Sequence, residues 1–115
     1  MLAKANRIVS GADYRLTVRQ GVRVHAPNTI TYVRRASEGV PARFGFVVSK
    51  AVGGAVVRNT VRRRMKAICR ELLPELGDGY DIVVRALPAS AQAPWTTLQG
   101  EIRRAVDKVG ARCMP

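Results

Sequence analysis

The chain has 115 residues with 20 Lys/Arg against 8 Asp/Glu, a formal charge of +12, and 47% of its residues are hydrophobic. That suits one domain burying a single core without a disulfide or metal staple, since Cys69 and Cys113 form no Cys-x-x-Cys and His25 is the single histidine. No long apolar run, signal peptide, catalytic triad, paired-carboxylate site or phosphate loop is present, so a soluble cytoplasmic protein without chemistry of its own is expected.

Residues 1–9 are basic and read as extended. Ser10 or Asp13 can cap a short helix over Asp13–Gln20, which Gly21 ends. Tyr14 and Val18 share one face of it, and Arg15 and Arg19 the next. Val22–Ala26 alternates apolar residues with Arg23 and His25, a strand with one wet face on which the histidine reads as a surface residue and not as a general base. Pro27-Asn28 turns the chain, and Ile30–Arg35 returns as the second arm of a hairpin, with Tyr32 facing away from Thr31 and Val33. After a turn over Ser37–Pro41, Arg43–Ser49 forms a third strand, apolar enough to be expected in a central position.

Gly53-Gly54 opens the most informative stretch. From Ala55 to Leu73 no Gly or Pro intervenes, and Pro74 stops what reads as one helix. At 100° per residue Val57, Val61, Met65, Ile68 and Leu72 fall within roughly an 80° arc, the expected core stripe, with Cys69 on its flank. Arg64 sits at the far edge, its stem expected to pack and its head to reach solvent. Arg58, Asn59, Arg62, Arg63, Lys66 and Arg70 fill an adjoining arc of roughly 140°. Eight Lys/Arg and no acid lie between Glu38 and Glu71; residues 1–70 carry a net +13 and residues 71–115 a net −1.

Like charges at i, i+4 destabilise a helix by a few tenths of a kcal/mol per pair. An ordinary solvated face interleaves Glu with Lys, and this one does not. It reads as a surface for a polyanion, nucleic acid first and an anionic membrane second.

Gly77-Asp78-Gly79 breaks the chain, and Tyr80–Ala86 forms a fourth strand whose Ile82-Val83-Val84 run implies burial on both faces. Leu87–Pro94 reads as a loop. A last helix over Trp95–Val109 repeats Leu98, Ile102, Ala105, Val106 and Val109 at spacings of three and four, with Trp95 packing at its start. Arg34-Arg35, Arg103-Arg104 and Lys108 offer nonspecific attraction only. The order α-β-β-β-α-β-α makes residues 1–115 a single α+β domain, a four-stranded sheet with helices against it.

The string Ser49-Lys50-x-Val52-Gly53-x-Ala55-Val56-x-Arg58-Asn59-x-Val61-x-Arg63-Arg64 resembles the signature helix of the bacterial ribonuclease P protein component. Further likeness runs along nearly the whole chain: the leading Asn6-Arg7-Ile8, the Asp13-Tyr14-Arg15 helix, the Gly21 stop, the Tyr32 hairpin, the Arg43–Lys50 strand and the Tyr80–Val84 strand. The resemblance implies that family's sandwich, of the type seen in the second domain of a small-subunit ribosomal protein. It includes a left-handed βαβ crossover where the general rule is right-handed.

The resemblance also implies a function. The catalytic RNA of the family's ribonucleoprotein uses Mg2+ to hydrolyse precursor tRNA at the mature 5′ end. The protein, one per ribozyme and with no membrane partner, binds that RNA and the 5′ leader of precursor tRNA. By similarity Arg58, Asn59, Arg62, Arg63 and Lys66 meet the ribozyme, with Lys50 at the entrance of the same loop. Tyr14, Val18 and Tyr32 correspond to a leader cleft between the first helix and the sheet. On the residues alone, Tyr14 and Tyr32 read first as half-buried core aromatics.

Two positions depart from the family pattern. Thr60 stands where a basic residue is usual, and Val18 where an aromatic is usual, which puts one phosphate contact and one stacking surface in doubt. Among rival readings, Arg43-Phe44-Gly45-Phe46-Val47 is similar to the central strand of an RNA-recognition motif, but a Gly after the Arg and a helix between the first two strands are missing. A structural or ribosomal RNA-binding protein would be indifferent to the leader. A membrane-surface helix would need the apolar stripe that the core requires.

Overall fold

The computed structural model describes residues 2–111; Cys113, expected in the C-terminal end, lies outside them. Ser10 Oγ accepts the Ala12 amide at 3.1 Å, so α1 (Gly11–Gln20) starts at this cap, two residues earlier than an Asp13 start would give. Gly21 ends it through close approach: a Cβ there would stand 2.5 Å from the Thr17 carbonyl oxygen and 3.1 Å from that of Val33.

The four strands are β1 (Val22–His25), β2 (Thr29–Arg35), β3 (Arg43–Val47) and β4 (Tyr80–Ala86), in the spatial order β1-β2-β4-β3. The expected hairpin is there: β1 and β2 are antiparallel, as are β2 and β4, while β3 and β4 run parallel. The expectation of a central β3 is overturned, because β3 is an edge strand and β4 takes the inner place. Ile82, Val83 and Val84 are fully buried there.

The apolar character of β3 has another cause. Its free edge is covered by the leading segment, where the Ile8 amide donates to the Phe44 carbonyl at 2.8 Å and Asn6 Nδ2 to the Ala42 carbonyl at 2.9 Å. A strand roofed on both faces and along its edge carries the same composition as a central one.

Helices α2 (Ala55–Leu72) and α3 (Trp95–Lys108) pack on one face of the sheet. Val61, Met65, Ile68 and Leu72 of α2 and Leu98, Ile102 and Val106 of α3 meet Val33, Phe44, Ile82 and Val84, with Trp95 packed at the cluster's margin. A smaller cluster of Ile8, Ile30, Tyr32 and Val83, with Tyr14 and Val47 at its margin, lies on the opposite face under α1.

One member of the expected α2 stripe changes. Val57 is exposed, its side chain folded back against Gly53, and Cys69 is fully buried in its place. Met65, Ile68, Cys69 and Leu72 follow the i, i+3, i+4, i+7 spacing of a buried face, whereas the first turn of α2 lies outside the core. Burial pushes the Cys69 thiol far above its ordinary value, which leaves it a packing group and not a nucleophile. Pro74 closes α2 in a short 3-10 turn (Leu73–Glu75), and the expected loop after β4 contains another, Pro88–Gln92.

Glu101 of α3 is buried beneath the hairpin turn. Its Oε1 accepts the Asn28 amide at 3.2 Å and the Thr29 hydroxyl at 2.8 Å, and its Oε2 accepts Asn28 Nδ2 at 2.7 Å. Three donors thus converge on one carboxylate and lock α3 to the β1–β2 turn. Glu101→Ala leaves them without a protein acceptor and is expected to reduce stability by about 2–3 kcal/mol, read from urea denaturation midpoints. A change below about 0.5 kcal/mol, the scale of a neutral surface substitution, would contradict that role.

Candidate nucleic-acid interface

Gly53, at φ +156°, and Gly54 carry the chain from β3 into α2. Gly54 offers no side-chain cap, and no acid occupies the first turn, so the amide end of α2 adds its partial positive charge to the side chains that follow. Lys50 is exposed in the turn before it, where the Gly53 amide donates to the Lys50 carbonyl at 3.2 Å.

Asn59, Arg62, Arg63 and Lys66 line one groove of about 530 Å³, closed on its other side by Leu2 and Arg7 of the leading segment. Arg62 Nη1 donates to Asn59 Oδ1 at 3.0 Å, which fixes the two side chains relative to each other. Arg58 is half-buried one turn earlier and does not line this groove; Arg64 is half-buried as expected. Arg7 escaped the sequence reading. Its neighbour Ile8 belongs to the α1-side cluster, and the alternation of an extended segment then turns Arg7 toward α2.

Salt bridges among the described residues engage Arg34, Arg35, Arg43 and Arg103. None of them includes Arg58, Arg62, Arg63 or Lys66. Glu71, the acid of α2, accepts from Gln99 at 3.0 Å at the far end of the helix. Thr60 Oγ1 donates to the Val56 carbonyl at 3.0 Å, so this hydroxyl serves its own helix and does not replace the missing cation. The row keeps its charge.

The second group of sequence-singled residues gathers at α1. Tyr14, Val18 and Val47 form the apolar floor of an open groove of about 430 Å³, with Arg15 and Arg19 on its rim. The Tyr14 ring lies against Gly45, where an added Cβ would stand 2.5 Å from it, and its hydroxyl accepts the Phe46 amide at 3.2 Å. Glycine at 45 is what lets the ring come down on β3. Tyr32 is 6% exposed and lies in the cluster under α1 without lining the groove. The structure therefore brings Tyr14 and Val18 together at the surface, adds Val47, and sets Tyr32 as support beneath.

An ionic knot holds α1 to the sheet. Asp81, 2% exposed, accepts Arg43 Nε at 2.9 Å and Nη2 at 2.7 Å, and Arg34 Nη2 at 3.2 Å; Arg43 Nη1 also reaches Asp13 of α1 at 3.4 Å. The hydrogen bonds from Arg43 to Asp81 raise the Arg43 guanidinium above its ordinary value. Among the described residues no group of three or more His, Cys, Asp or Glu is placed to hold a metal ion, and no helix is long and apolar enough to cross a membrane.

The Ribonuclease P family model matches residues 2–110. The ribonuclease P protein component of Clavibacter michiganensis is 45% identical over 108 residues, covering 94% of this chain and 96% of that one. That of Kocuria rhizophila is 46% identical over 113 residues, covering 98% and 99%. Among solved structures, the RNase P protein of Staphylococcus aureus superimposes with a TM-score of 0.81 at 23% identity, over 94% of this chain and 98% of that one. The protein from Thermotoga maritima gives 0.76 at 21% identity, over 89% and 96%. These two share the α+β architecture.

Proposed function

This chain belongs to the ribonuclease P protein family, and we propose that its α2 face docks on the RNase P RNA while its α1 groove takes the leader of precursor tRNA. The family role is that of the protein subunit of RNase P, partner of the RNase P RNA in maturing tRNA 5′ ends. The observation that carries the α2 assignment is the row of Arg58, Arg62, Arg63 and Lys66, cations in no salt bridge among the described residues, with Asn59 between them, Lys50 before them and Arg7 beside them. Guanidinium forks pair two N–H groups with a phosphate and stack on bases as well.

The groove assignment is supported by its chemistry. Tyr14, Val18 and Val47 offer an apolar floor and a ring face. Such a floor accepts any base without reading its edges, as a leader of varying sequence requires.

The chain contributes binding and placement, and the RNA performs the hydrolysis. Mg2+ stays with the RNA subunit in this reading, as the family resemblance implies; of the protein's own carboxylates, buried Asp81 and Glu101 serve the fold, bonded to two arginines and to three donors. One protein per ribozyme, acting in the cytoplasm, completes the reading. Adding the protein to its cognate RNA at low magnesium is expected to raise precursor-tRNA cleavage; the absence of stimulation would overturn the reading.

Tyr14→Ala tests the groove. A base that stacks on an aromatic contributes roughly 1–3 kcal/mol, so affinity for precursor tRNA is expected to fall at least fivefold, with mature tRNA and ribozyme assembly unchanged. Tyr14→Phe, which keeps the ring and loses the hydroxyl, should retain most of the affinity. An equal loss on precursor and mature tRNA would remove Tyr14 from the leader site.

A further inference from the structure

Strand register sets four residues in one row across the α1 face of the sheet: His25 on β1, Ile30 on β2, Arg85 on β4 and Val47 on β3. Alternation fixes the direction of Arg85. Ile82, Val84 and Ala86 belong to the larger core, and Val83 to the cluster under α1, so residue 85 projects with Val83. Neighbouring strands lie about 4.8 Å apart, which places Arg85 one strand from Val47, a lining residue of the α1 groove.

Arg85 is exposed although it stands in the inner strand β4, and packing of its stem leaves the charged head unexplained. Its cross-strand neighbours are Ile30 and Val47, and no salt bridge among the described residues includes it. The acid on the same face of β4, Asp81, is four residues away and bonded to Arg34 and Arg43. Across the groove Arg15 and Arg19 line the rim from α1, both exposed. Two cations thus stand on the α1 rim of an apolar floor, and a third stands one strand beyond the floor residue Val47. The ligand that matches has an anionic backbone and flat apolar groups, a single-stranded polynucleotide.

We propose that Arg85, with Arg15 and Arg19 opposite, grips phosphates of the precursor-tRNA leader, an ionic hold that offsets the stacking surface Val18 does not provide. The inference rests on the assignment of the α1 groove to the leader.

The test uses the holoenzyme reconstituted with the cognate catalytic RNA. Arg85→Gln should lower affinity for precursor tRNA about fivefold at 0.1 M monovalent salt relative to 1 M, and reduce the log–log salt slope by about 0.7. Affinity for mature tRNA and for the catalytic RNA should stay unchanged, and Arg85→Lys should retain most of the wild-type affinity. On a leader with uncharged methylphosphonate linkages, the loss caused by Arg85→Gln should disappear. Equal losses on mature tRNA, or an unchanged affinity and slope on precursor, would overturn the contact. If Tyr14→Ala keeps its leader-specific loss while Arg85→Gln has none, the ionic grip alone is wrong. If removing the leader costs the wild type nothing, the groove assignment falls and the grip with it.

Discussion

Replacing Arg62 and Arg63 together with alanine is expected to weaken binding to the RNase P RNA roughly 25- to 60-fold at 0.1 M salt relative to 1 M. The salt slope should fall by about 1.4–1.8, because each phosphate contact contributes about 0.7 on single strands and about 0.9 on duplex. Both side chains line the groove between α2 and the leading segment, and neither belongs to a core cluster. The free protein should therefore unfold at an unchanged urea midpoint. Arg62→Ala also releases Asn59 from its 3.0 Å bond, so the single variants need not sum to the double. Filter binding or calorimetry across a salt series reads both quantities. An unchanged slope would mean that α2 meets the RNA without neutralising phosphates, and the interface would have to be sought elsewhere on the molecule.

Asp81→Asn carries the largest expected effect on stability, a loss of about 3 kcal/mol. Removing one partner of a buried ion pair costs roughly 3–5 kcal/mol when the remaining charge stays buried. The lower end applies, since the side chains of Arg43 and Arg34 are 27% and 18% exposed and keep partial access to water. For a chain of this size the melting temperature should drop by roughly 10–15 °C. The same substitution removes the buried carboxylate that positions the Arg43 guanidinium, so the contact of Arg43 with Asp13 that ties α1 to the sheet is loosened. Leader discrimination should decline in the folded variant, while assembly through α2 stays intact. A stability loss under about 1 kcal/mol would reduce the knot to a surface pair. A double-mutant cycle with Arg43→Met separates the charge from the tether.

Much of the fold was legible from local chemistry. The α2 helix, the β4 strand and the hairpin follow from periodicity and from Gly and Pro punctuation, signals that act within a few residues. The charged arc of α2 was legible for the same reason, because residues three and four apart on a helix share a face in any fold. Val57 and Cys69 mark the limit of the wheel. Its arc has the right width, but which turn of the helix reaches the sheet is not a property of the helix.

The sequence by itself determined the element order, the cation row from Arg58 to Lys66, and the family to which the chain belongs. Tertiary structure alone decided that β3 lies at the edge under the leading segment, that Arg7 joins Asn59 and Lys66 in one groove, and that Tyr32 lies buried beneath α1 without lining its groove. It alone set Arg85 beside Val47. The physical reason is range. Helical and strand periods are written by neighbours three or four residues apart, whereas these placements join segments separated by dozens of residues, and only the packing of the whole core brings them together.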